Sequence, residues 1–180
     1  MLHFTGKAKI RDYIKEKHPD LKVIYVEPGM YIQNWNTMGK AQKLEDGTRV
    51  FSFPFDGKAT LHLADIDDMG PIVREILANP NQYVGQDICI CGEEIKFEDM
   101  PKVFTKVTGI PAVCKPVSEE EFRASQQGAP KIVVDDIVDM FKWFEQYGYF
   151  GKNKDWKNGQ KLTKLTTWED WLKKTGWKGE

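Results

Sequence analysis

Between Phe4 and Lys17 the apolar residues Ile10, Tyr13 and Ile14 recur at helical spacing, and the pattern stops at Pro19, which predicts an amphipathic helix. The next run, Leu21 to Val26, reads LKVIYV and closes at Pro28 and Gly29. Such a nearly continuous β-branched and aromatic run suits a strand buried on both faces of a parallel sheet. A helix followed by this kind of strand points to the α/β class. Asp46-Gly47 and Asp56-Gly57 are turn signals bracketing TRVFSFPF, which predicts a peripheral strand ending near Pro54. Met69, Ile72, Val73, Ile76 and Leu77 fall on one helical face behind Asp65, Asp67 and Asp68, acids that suit the positive end of a helix.

QDICICG alternates as a strand does, and Phe97, Met100, Phe104 and Val107 then mark a helix that ends at Gly109. A short strand is expected from Ala112 to Val117 and a short helix over SEEEFRASQ. Val133, Ile137, Met140, Phe141 and Phe144 predict a longer helix that stops near Gly148, followed by a polar loop from Gly151 to Lys164. The final TTWEDWLKKTG has capping-box spacing from Thr166 to Glu169 and a Gly176 stop, with Trp168, Trp171 and Leu172 docking the helix. No internal repeat or flexible linker divides the chain.

Composition narrows the function classes. A chain of 180 residues, 41% hydrophobic and 12% aromatic, can bury one core, so a single domain over residues 1–180 is expected. With 26 basic against 27 acidic residues the net charge is -1, which offers no broad attraction to nucleic acid or an anionic membrane. The amino terminus is charged within a few residues and no run of about 18 apolar residues exists, so neither a secretory signal nor a membrane span is expected. Cys89, Cys91 and Cys114 are odd in number and lie in apolar stretches, as reduced core thiols do. A soluble protein of the cytoplasm is the expectation.

Two places carry candidate chemistry. His3 and Lys7 are four apart on the first helix, in line with Ile10 and Ile14, so both fall at the end of its inward stripe. A chain-terminal histidine and a snorkelling surface lysine are the plainer account of the same pair. PGMYIQNW, Pro28 to Trp35, follows the buried strand, and ligands of open α/β sheets gather at the carboxyl ends of strands. Gly29 would admit close backbone approach, while Tyr31 and Asn34 would bring a hydroxyl and an amide to that edge. A turn with a core tyrosine and a capping asparagine accounts for them equally.

Other clusters carry less. Cys89 and Cys91 share a strand face, but with only Cys114, His18 and His62 in reserve a tetrahedral zinc site is poorly supplied, and no metal is expected. Helix-start acids account for Asp65, Asp67 and Asp68 without a cation. KNKDWKNGQKLTK interleaves lysines with one tryptophan, yet in a chain that is not basic it reads as a solvated loop, and direct nucleic-acid binding is not expected. No nucleophile elbow or Cys-His signature is present.

The strings HFTGKAKIRDYIK, PGMYIQNW, ADIDDMGPIVREILANPNQYVGQDICICGEEIKFEDMPKVF and LTTWEDWLKKTGW, in this order and spacing, resemble the NmrA-like proteins, atypical relatives of the short-chain dehydrogenases/reductases. The likeness covers nearly the whole chain, and the last string is of the style found in fungal members. It implies an HxxxK pattern, His3 to Lys7, where ordinary members carry Tyr-x-x-x-Lys, with Lys7 contacting the nicotinamide ribose of NADP. It also implies that the aromatic-x-x-Asn motif, Tyr31, Ile32, Gln33 and Asn34, touches the nicotinamide end of that cofactor.

Two departures matter. The family's glycine-rich half should precede His3, yet Met1 stands two residues before it, and among 15 glycines no G-x-G-x-x-G occurs. The chain therefore reads as the truncated, substrate-side, carboxyl-terminal portion of a Rossmann-like fold, with Met1 an internal methionine of a longer frame as one account. NADP binding would be weak or lost, and an uncovered sheet edge would favour oligomers or a partner. Second, His3 replaces the tyrosine phenol, an acid with a different reference pKa of about 6.5. The resemblance implies an NADP-dependent oxidoreductase acting on a small organic substrate, or else a non-catalytic NADP-sensing regulator, cytoplasmic or also nuclear, that binds a transcription factor or other protein.

Overall fold

The computed structural model describes residues 1–37, 39–54 and 57–180. Its elements run α1 (Leu2–Lys17), β1 (Tyr25–Pro28), β2 (Met30–Tyr31), a 3-10 turn (Ile32–Asn36), β3 (Gln42–Lys43), β4 (Arg49–Pro54), β5 (Thr60–Ala64) and a second 3-10 turn (Ile66–Asp68). They continue through α2 (Met69–Ala78), the single turn α3 (Pro80–Tyr83), β6 (Asp87–Ile90), β7 (Glu93–Lys96), a 3-10 turn (Phe97–Asp99) and α4 (Met100–Thr108). The last are β8 (Ala112–Val117), α5 (Glu119–Ser125), α6 (Lys131–Tyr147), a 3-10 turn (Asn158–Lys161) and α7 (Trp168–Thr175).

Three layers frame the amino-terminal half. β1 pairs in parallel with β6, Tyr25 opposite Asp87 and Pro28 opposite Ile90. α1 covers the face carrying Tyr25 and Glu27; α2 covers the other, where Ile72 and Ile76 pack with Ile88, Ile90 and the half-buried Ile24 and Val26. β1 begins later than LKVIYV suggests, because the chain is still turning off α1 there: the Leu21 amide donates to His18 and Leu21 is exposed. α1 itself is rotated away from its apolar stripe. Phe4, Arg11 and Ile14 are the partly covered positions, whereas Ile10 and Tyr13 are 62% and 57% exposed. Arg11 sets that rotation: its guanidinium reaches Glu27 at 3.0 Å and both Asp87 oxygens at 2.6 Å and lies over the Tyr25 ring.

The second half of the sheet system is β2 parallel to β5, which is antiparallel to β7, and β3 antiparallel to β4, which is parallel to β8. β4 is central rather than peripheral, with Phe51 and Phe53 in the main core beside Trp35, Phe97, Phe104, Phe144, Trp168 and Trp171. Each such side chain contributes on the order of 2 kcal/mol by leaving water. The turn signal at Asp56 falls outside the described residues; Gly57 has the positive φ, 74°, that a turn favours.

Helix ends follow their signals with one shift. Gly109 and Gly176 close α4 and α7 in left-handed conformation, and Ser118 with Glu121 forms a capping box on α5. α7, however, is capped by Thr167 accepting from the Asp170 amide, not by Thr166, which is drawn away to Asp68. The polar stretch before α7 is irregular but closely fitted. Asn158 pairs with the outer edge of β6 as a strand would, accepting from the Cys89 amide at 2.8 Å and donating to the Asp87 carbonyl. No described helix is long and apolar enough to cross a membrane.

Candidate functional site

β1 runs into β2 through Gly29, and both are parallel to their neighbours β6 and β5, so the carboxyl ends of these strands gather beyond Tyr31, Ala64 and Ile90. Gly29 serves strand packing more than ligand approach. Its amide donates to Ile90, and a β-carbon on it would overlap the His62 carbonyl of β5.

The direction of α1 follows from two contacts. Arg11 pairs with Glu27, and Lys15 lies 5.9 Å over the Tyr25 ring, so numbers rise along the helix as they fall along the strand. At about 1.5 Å per helical residue and 3.3 Å per strand residue, Lys7 stands near the level of Gly29 and His3 beyond it, toward Tyr31. Lys7 also lies on the strand-facing side, between Phe4 and Arg11 at spacings of three and four. It is exposed, and among the described residues it forms no ion pair. His3 is tied to α6, its Nδ1 bonded to Asp136, and its ring packs on Phe4, which contacts Tyr149.

The four residues of the post-strand motif divide. Ile32 is fully buried in the main core, so its side chain is not available to a ligand. Tyr31 is half-buried with its hydroxyl 3.7 Å from the Met69 sulfur. Gln33 is fully engaged: its amide donates to Asp65 at 2.5 Å and its carbonyl oxygen accepts from the Ile66 amide at 3.2 Å. Asn34 is half-buried, and its side-chain amide bonds to no described residue.

Behind the motif lies a polar knot that the sequence did not announce. Asp65, fully buried, accepts from Gln33, the Asp67 amide and Lys174 of α7. Burial pushes its carboxyl up, but those hydrogen bonds outweigh it and hold the group below the usual carboxylate range. Its neighbour Asp68 goes the other way, raised chiefly by burial despite accepting from the Thr166 amide and hydroxyl. The acids read as helix-start residues are thus the clasp that fixes α7 against this edge. Nothing in spacing pairs Gln33 with Asp65 or His3 with Asp136, since each contact joins distant segments.

The cysteines lie elsewhere. Cys89 and Cys91 are buried free thiols; burial pushes Cys89 up to about 12 and Cys91 higher still, which makes both poor nucleophiles at neutral pH. Among the described residues no group of three or more His, Cys, Asp or Glu is placed to hold a metal.

A model of the NmrA-like family matches residues 1–172. The chain belongs to that family. An NmrA-like family domain-containing protein of Dictyostelium discoideum is 27% identical over 180 residues, covering 96% of this chain and 57% of its own length. Among solved structures, NmrA, a negative transcriptional regulator, in complex with NADP is similar with a TM-score of 0.75 at 16% identity, over 95% of this chain and 57% of that one. An NADPH-dependent quinone oxidoreductase of Escherichia coli is similar with a TM-score of 0.61 at 19% identity, over 83% and 54%. The fold is the α/β, NAD(P)-binding Rossmann type of NmrA-like proteins, and the chain spans a little over half the length of these relatives.

Proposed function

We propose that this chain is the substrate-side half of an NmrA-like, NADP-dependent oxidoreductase acting on a small organic substrate, with residues 1–180 as one domain. The observation that carries the reading is Lys7: a cation with no ion pair among the described residues, on the strand-facing side of α1 and level with the end of β1, where its neighbour Arg11 is already neutralised by Glu27 and Asp87. Lys7 is suited to the ribose of a nicotinamide nucleotide, and the Asn34 amide, which bonds to no described residue, and the hydroxyl of Tyr31 to the nicotinamide end. Of the other motif residues, Ile32 and Gln33 would act through the backbone and by support. The residues present fit that end of the cofactor alone, because no glycine cluster in the sequence offers backbone amides to a pyrophosphate. When bound, the dinucleotide would supply hydride. His3 is the candidate proton donor.

A second reading is supported by how few polar groups this edge leaves free: a non-catalytic NADP sensor that passes occupancy to a transcription factor or other protein. Calorimetry with NADPH and NADP+ on the purified chain separates the readings from neither. Micromolar binding that Lys7→Ala abolishes, with turnover of a quinone or enone, supports the reductase; binding without turnover supports the sensor; no binding rejects both for the chain on its own.

A further inference from the structure

We propose, building on the reductase reading, that Asp136 of α6 is a positioning residue for His3, holding its imidazole in the tautomer that leaves Nε2 free for a substrate oxygen. The start of α1 has no cap of its own, since Met1 at the cap position makes no side-chain hydrogen bond. Asp136 supplies one from a distant element: Oδ1 accepts from the Leu2 amide and Oδ2 from the His3 amide at 3.3 Å. Capping needs only those backbone donors. The same carboxylate also takes Nδ1 of His3, a contact with no part in closing the helix.

A carboxylate can only accept, so Nδ1 carries the hydrogen and Nε2 is the ring's working nitrogen. No described residue bonds to Nε2, and the His3 side chain is 42% exposed while Asp136 is 13% exposed. The base is anchored and the ring tip open. Phe4, its centroid 4.4 Å from the imidazole, fixes the ring from one side and is itself seated on Phe144 and Tyr149. The other charges facing the pair are the Met1 ammonium, 3.8 Å from both Asp136 and Asp139, and Asp139 itself. Burial pushes Asp136 up, yet the bonds from His3 and the two amides hold its carboxyl below the usual range, so it stays an anion opposite the ring.

The arrangement balances as a proton donor to a carbonyl. Hydride from a dihydronicotinamide forms the new C–H bond, and the C=O π pair moves onto oxygen. Nε2, open to solvent, first takes a proton from water, and the substrate oxygen then takes that proton, N–H breaking as O–H forms. The ring is left as the neutral Nδ1–H form that Asp136 is already placed to accept from, as in the carboxylate-imidazole pairs of hydrolases.

Nitrogen-15 NMR of the histidine side chains in the full chain tests the pairing without any turnover. Wild-type His3 should populate mainly the Nδ1–H form, the minor one in an unconstrained histidine side chain, and Asp136→Asn should return it to mainly Nε2–H. A wild-type ring already in the Nε2–H form, or one indifferent to Asp136→Asn, overturns the proposal. The second arm is reduction of a panel of aldehydes and ketones by NADPH, in which Asp136→Asn should lower kcat about 10-fold or more with the KM for NADPH unchanged. Unchanged kcat despite the tautomer shift also overturns it. The tautomer shift without turnover in either protein supports the pairing and rejects the reductase reading beneath it. Should Asp136→Asn fail to fold, His3→Gln leaves the cap intact and must show the same loss of kcat.

Discussion

His62 is nearly fully buried on β5, its Nδ1 without a hydrogen-bond partner among the described residues, walled by the rings of Tyr149, Phe150 and Trp156. Burial lowers its pKa from the ordinary value of about 6.5, only partly offset by Glu94, whose Oε1 is 3.9 Å from Nε2. The unfolded chain therefore takes the proton more readily than the folded one, and stability present above about pH 6.5 is lost as the pH falls below it. The urea midpoint should drop between pH 7.5 and 5.5, and His62→Leu should flatten the part of that slope near pH 6. An identical slope in the variant would remove His62 as its source. Asp65 makes a complementary case. Asp65→Ala strands the Gln33 amide and the Asp67 N–H, and should cost about 2 kcal/mol by urea denaturation. Lys174→Met removes only a half-exposed partner and should cost under about 1 kcal/mol.

At the scale of elements, α7 is held by two unlike means, the Asp65–Asp68 clasp and an aromatic stack in which Trp168 and Trp171 lie 5.4 Å apart at 10°. Gly92, just after β6, lets the Thr166 backbone lie against it; a β-carbon would overlap the Thr166 carbonyl. Gly92→Ala should therefore destabilise by about 3 kcal/mol, comparable to Trp168→Ala at about 3–5 kcal/mol, although it adds one methyl and removes nothing. Thermal melts of the two variants decide this: a Gly92→Ala protein as stable as the wild type would mean the segment can shift. These elements also show what the sequence discloses. α2, α4, α6, α7 and β8 were legible as elements from their period, but the buried face is narrower or turned from the one expected in two of them: Val73 and Leu77 of α2 are exposed, and in α6 Val134 and Val138 are buried while Val133 is exposed. The face of α1 was misread because Arg11, not an isoleucine, makes its decisive contact. β5 and β7 were missed because polar residues such as His62 and Glu94 interrupt their pattern, although His62 is enclosed by segments far away in the chain. Lys7 and Asn34 entered as site candidates through their places on α1 and after β1 and through the family resemblance; the Asp136 and Asp65 contacts, made between distant segments, left no mark in the sequence.

For the whole molecule, the two edges of the β1–β6 sheet are treated differently. The β6 edge is blocked by Asn158, whose side-chain amide satisfies both a strand N–H and a strand carbonyl, with Gly159 packed against Cys89 behind it. The outer edge of β1 pairs with no described residue, and the helices covering the sheet there leave Ile10, Tyr13, Val73 and Leu77 exposed. An open parallel edge between two apolar shoulders is a template for a further strand, and proteins that do not use such an edge usually block it, as β6 is blocked here. On its own the chain should therefore self-associate. Sedimentation velocity should show oligomers at micromolar concentration, and Ile10→Lys with Tyr13→Lys should shift the distribution toward monomer while leaving the helical circular dichroism intact, because both side chains already face water and neither supports the core. A monodisperse, cooperatively unfolding wild-type monomer would mean that the β1 edge is tolerated bare. In that case Lys7 would have to bind a dinucleotide without any second layer of strands to hold its phosphates, and the oxidoreductase reading would lose its structural footing along with the partner.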